Sequence, residues 1–117
     1  MPRKGAALSV NALPIDTSCE MLPDGSFLLR VRGEIDMATA PLVRRALAWC
    51  MEGDGVRGFV DLADVKLIDA AGLRLLNEVN DDLRRRGGEL VVRRPSQHVR
   101  RVLEVVKKYC RLRIAPD

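Results

Sequence analysis

Three times along the sequence a short aliphatic run gives way to a stretch whose apolar residues recur every three or four positions, and few architectures satisfy that alternation. Val43, Ala46, Leu47 and Cys50 fall at the i, i+3, i+4, i+7 spacing of a helix with one buried stripe, with Arg44 and Arg45 on its other side. Leu76, Val79 and Leu83 continue the pattern in a second helix, which Asp69 can cap and Gly87-Gly88 can end. Val99, Val102, Leu103 and Val106 repeat it in a third, where Ser96 caps and Pro95 blocks the strand before it. Residues 58–62 and 89–94 read as short strands between these helices, and 112–114 as a terminal one.

Upstream, residues 15–22 and 27–32 read as two strands joined by Pro23-Asp24-Gly25-Ser26, a turn of the kind that closes a hairpin. Leu29, Arg30, Val31 and Arg32 alternate as in a half-buried antiparallel strand, which ends at Gly33. Thr39 suits the cap of the first helix and Pro41 its first turn. The predicted order is β-β-α-β-α-β-α-β, an α/β domain with a mixed sheet covered by helices and right-handed crossovers in its parallel part. Residues 1–13 are read as a flexible N-terminal extension and 14–117 as one domain, which a length of 117 residues suits.

Composition narrows the function classes. Hydrophobic residues make up 47% and aromatic ones only 3%, so the core is expected to be aliphatic and no site of stacked rings is expected. The net charge of +4 raises a nucleic-acid reading, yet the excess sits in Arg84–Arg86, Arg93, Arg94, Arg100, Arg101, Lys107 and Lys108 with no interleaved aromatics. A solvated basic face, or an acidic protein partner, accounts for it, and direct nucleic-acid binding is not expected. No run approaches the roughly 18 apolar residues that a membrane span needs, and no export signal is read, so the expectation is a cytoplasmic protein without membrane insertion. Cys19, Cys50 and Cys110 are far apart and lack CxxC spacing, so they are read as reduced core fillers. No cofactor and no metal are expected: Asp36, Asp61, Asp64 and Asp69 each have an ordinary explanation as a cap or loop acid.

Four segments then fall in a recognisable order. Gly33-Glu34-Ile35-Asp36 follows a strand, Val60-Asp61-Leu62 ends one, Ile68-Asp69-Ala70-Ala71-Gly72-Leu73 opens the second helix, and Gly87-Gly88-Glu89-Leu90 precedes the next strand. Together they resemble the STAS domain family of the bacterial anti-sigma factor antagonist (anti-anti-sigma factor) type, whose signature at the second helix is Asp-Ser-Ser-Gly-Leu. The resemblance covers about residues 15–115. It implies a transcription regulator acting by protein–protein interaction: a kinase-like anti-sigma factor docks at the start of the second helix and phosphorylates the first serine, which releases the antagonist.

Here the matching position is Ala70, followed by Ala71. Neither carries a hydroxyl, so phosphoryl transfer at this position is chemically excluded. The expected partner-binding residues are Glu34, Asp36, Thr39, Asp69, Ala70, Ala71, Gly72 and Arg74. Gly72 is expected to admit a partner closely because it has no side chain, Thr39 is open as a substitute phosphorylation site, and Trp49, off the stripe of the first helix, is read either as a contact surface or, with slight preference, as packing over the sheet edge. The alternative is a STAS subunit of a larger assembly, such as a lipid-transport ABC complex or a stressosome-like scaffold. An enzyme has thin support, since His98, the single histidine, has no nucleophile beside it in sequence. Self-association as a weak homodimer is left open.

Overall fold

The computed structural model describes residues 8–9, 15–53 and 56–116. It arranges them as β1 (Leu8–Ser9), β2 (Ile15–Met21), β3 (Phe27–Ile35), α1 (Ala40–Cys50), β4 (Arg57–Ile68), α2 (Ala70–Arg85), β5 (Glu89–Arg93), α3 (Gln97–Val106) and β6 (Arg113–Ile114). The six strands form one sheet in chain order. β1, β2 and β3 pair antiparallel, and β3 to β6 pair parallel. The mixed α/β sheet and its three helices therefore match the order of elements expected from the two periods.

Alternation along the strands sends Phe27, Leu29 and Val31 of β3, Val60 and Leu62 of β4, and Leu90 and Val92 of β5 into a single core. Val43 and Leu47 of α1, Leu76 and Leu83 of α2, and Val99 and Leu103 of α3 close over it. Leu28, Phe59 and Val91 lie outside this core cluster, in one cross-strand row, with the Arg93 guanidinium 5.4 Å from the Phe59 ring centre. At the far edge β6 has two residues, and Arg113 ties it back through a bidentate contact to Glu89. That hydrogen bond holds the Glu89 carboxyl below the ordinary glutamate range.

Two strands run further than the sequence suggests. β3 passes through Gly33, whose φ of 118° a residue with a side chain would strain to adopt, and continues to Ile35. β4 continues through Ala63-Asp64, because β3 stays alongside it: after one register shift Arg32 faces Asp64, and after a second Ile35 faces Ile68. Within residues 1–13, Leu8 and Ser9 pair with Thr17 and Asp16; the rest of that segment lies outside the described residues.

The cysteine reading needs correction for two of the three. Cys19 of β2 and Cys50 at the end of α1 are joined by a disulfide across 6.4 Å between Cα atoms, and Cys110 alone remains free. Their separation of 31 residues hid the pair, since only the packing of α1 on β2 brings them together. Trp49 is half-buried and packs against the core. Among the described residues, no helix is long and apolar enough to cross a membrane.

Candidate functional site

The end of β3 and the start of α2 meet through the backbone. The Asp69 amide donates to the Ile35 carbonyl at 3.1 Å, which sets the β3–α1 loop beside the first turn of α2. Asp69 then caps α2, its Oδ1 accepting from the Gly72 amide at 3.1 Å as the sequence predicts. The amides of Ala70 and Ala71 have no partner among the described residues, as expected of a first helical turn.

The preceding loop is fixed by its own side chains. The Asp36 carboxylate accepts the amides of Ala38 and Thr39 at 2.9 and 3.0 Å. Thr39 Oγ1 accepts the Asp36 amide at 2.9 Å and donates to the Glu34 carbonyl at 2.6 Å. Thr39 stands at the N-cap of α1 without a side-chain bond to its first-turn amides; the hydroxyl is spent closing the loop behind it.

Of the eight predicted partner-binding residues, six reach the surface. Ala70 and Arg74 are exposed, and Glu34, Asp36, Asp69 and Ala71 are partly so. Thr39 and Gly72 are not available to a partner. Thr39 has no exposed surface and its hydroxyl is engaged, so it is also unsuited as a substitute phosphorylation site in the folded chain. Gly72 does permit a close approach, but an internal one: a Cβ there would lie 2.7 Å from Ile68 Cγ1, 2.8 Å from Ile35 Cγ2 and 3.0 Å from the Ile35 carbonyl oxygen. The glycine lets α2 start directly on the ends of β3 and β4.

Two apolar residues at this corner escaped the sequence reading. Met37, in the loop, is 79% exposed, and Leu67, facing Glu34 across the β3–β4 pairing, is 38% exposed. With Ala70 they add exposed apolar residues to this corner, among the charged side chains of Glu34, Asp36, Lys66, Asp69 and Arg74. A signal for Met37 was present: a methionine between Asp36 and Ala38 belongs to no helical or strand period that would bury it.

Of the four acids read as cap or loop acids, three have separate partners. Asp61 accepts from Arg94 Nε at 3.1 Å and from the Ala63 amide, while Asp36 holds the amides of its own loop and Asp69 caps α2. Among the described residues, no group of three or more His, Cys, Asp or Glu side chains is placed to hold a metal ion. His98 and Ser96 line a cavity of about 440 Å³ with Arg32 and Lys66, but the Ser96 hydroxyl donates to the Val65 carbonyl at 2.6 Å and accepts the Val99 amide. Further along α2, Asn77, Asp81, Arg84 and Arg85 line a groove with Tyr109 and Arg111, and Arg85 and Arg86 pair with Asp82 at the surface.

Comparison with known proteins bears on the family and the fold. The family model described as the STAS domain matches residues 22–117. An anti-sigma-B factor antagonist of Listeria monocytogenes is 36% identical over 75 residues, covering 64% of this chain; the match spans 66% of the relative's length. The crystal structure of an anti-sigma factor antagonist from Mycobacterium paratuberculosis superposes with a TM-score of 0.72 at 27% identity, covering 92% of each chain. The anti-sigma factor antagonist SpoIIAA in its unphosphorylated form shares the fold, with a TM-score of 0.70 at 19% identity over 86% of this chain and 89% of that one.

Proposed function

The chain belongs to the STAS domain family, and from that premise we propose that it is a cytoplasmic anti-sigma factor antagonist that works by binding and not by catalysis. Its partner is a kinase-like anti-sigma factor, and the docking surface is the corner formed by the β3–α1 loop, the end of β4 and the first turn of α2. One observation carries the reading: Met37, Leu67 and Ala70 leave apolar surface exposed beside helix amides that have no partner, at the place where the resemblance puts the family's signature. Apolar area supplies affinity there, and free N–H groups offer orientation to an acceptor on the partner.

Ala70 makes the interaction insensitive to phosphorylation at this position. In a chain with serine there, phosphorylation would add about two negative charges next to Asp69, and like-charge repulsion would eject an acceptor docked on the amides. Without the hydroxyl, the chain stays permanently in its binding form. Ala70→Ser tests both halves of this proposal. With the kinase-like partner and ATP, the natural chain is expected to remain bound and unlabelled, while the serine variant takes up phosphate and dissociates. A serine variant that binds but is never labelled would mean that the kinase's catalytic centre does not face this corner, and natural chain that fails to bind would overturn the function.

A further inference from the structure

We propose that Cys19 and Cys50 form a redox modification site, a dithiol–disulfide pair that staples the near-edge strand β2 to the helix layer. Among the described residues, β2 pairs with the central strand β3 on one side and with the two-residue β1 on the other, and α1 packs on it. Cys19 points into the core from the middle of β2, and Cys50 is the last residue of α1. Their Cα atoms are 6.4 Å apart, within the span a disulfide bridges without moving the backbone. Either residue would also serve as a small apolar filler when reduced, so the fold accommodates both states.

Burial determines how the pair responds. Each cysteine is only 2% exposed, so neither a small disulfide nor a small thiol reaches the sulfurs until α1 lifts from β2. The step itself is a two-electron exchange with a low-molecular-weight disulfide such as oxidised glutathione. One thiolate attacks it and releases one reduced thiol; the second protein thiolate then attacks the mixed disulfide, closing the Cys19–Cys50 bond and releasing the other. The two protons lost from the cysteines leave on the two reduced thiols. Once closed, the bond bridges a loop of 31 residues and restricts the unfolded chain accordingly. The oxidised form is therefore the more stable one, and it is slow to be reduced while folded.

The test needs no partner and so stands or falls apart from the proposed function. The full chain is equilibrated with oxidised glutathione, unfolded in urea with iodoacetamide, and weighed. A monomeric mass carrying one label or one glutathione, on Cys110, is expected, against three labels after reduction. Reduction should lower the melting temperature by about 5 °C or more. In native buffer, reduced glutathione should leave the bond intact long after it has opened the same bond in urea. Three labels after oxidation, disulfide-linked dimers, or a melting temperature indifferent to redox state would each overturn the proposal. The double variant Cys19→Ala and Cys50→Val checks the assignment, because its melting temperature should no longer respond to oxidant.

Discussion

Gly72 and Ala70 are two positions apart in the same helical turn and do opposite things. Gly72 faces inward, where the Ile35 carbonyl and the Ile35 and Ile68 side chains leave no room for a Cβ; Ala70 faces solvent. Gly72→Ala should therefore cost about 1–3 kcal/mol in urea unfolding, since one of its close contacts is backbone that cannot rotate away. An unchanged unfolding midpoint would mean that α2 can shift at no cost. The sequence showed that a small residue stood here but not what pressed against it, and this is why a partner was expected in the space that two isoleucines fill. Asp69 was legible for the converse reason: capping is a local interaction, written within three residues of the helix start. Thr39 was legible as a helix-start residue, but its burial depends on how the loop folds back onto Glu34, and no local pattern encodes that.

Helices α1, α2 and α3 were readable because each carries its own period, whereas the lengths of β3 and β4 were not, because a parallel strand continues only as long as its distant neighbour does. The joint between α2 and β5 depends on one such non-local contact. Asn80 is 1% exposed; its Oδ1 accepts the Leu90 amide at 2.9 Å, and its Nδ2 has no partner among the described residues. Nothing in its setting on the apolar face of α2 announced that role, and a polar residue in that stripe looks like an interruption of the pattern. Asn80→Ala should leave the Leu90 N–H buried and unsatisfied, lowering unfolding free energy by about 1–3 kcal/mol. Hydrogen exchange locates the effect: the Leu90 amide should lose protection before the amides of β3 do. Equal loss throughout the sheet would show that the bond is a global support instead of a joint.

At the scale of the molecule, nearly all of its large apolar residues are gathered into one core beneath three helices, and few large ones are left in solvent: Met21, Met37, Leu67, Val105 and Tyr109 among the described residues. The most exposed of these, Met37, Val105 and Tyr109, should cost little in stability to replace, so their effect on binding can be measured cleanly. Met37 and Leu67 adjoin the start of α2, while Val105 lies on α3, outside the proposed surface. Met37→Glu should weaken the complex with the proposed anti-sigma partner at least about tenfold, because a charge would have to be desolvated in the proposed interface. Its unfolding free energy should stay within about 0.5 kcal/mol of the original, as for other exposed substitutions. Val105→Glu, equally exposed at 79%, is the matched comparison and should leave affinity unchanged. If both variants lost affinity equally, the partner would have to span α3 as well; if only Val105→Glu did, the docking surface would move off the corner that Ala70 occupies.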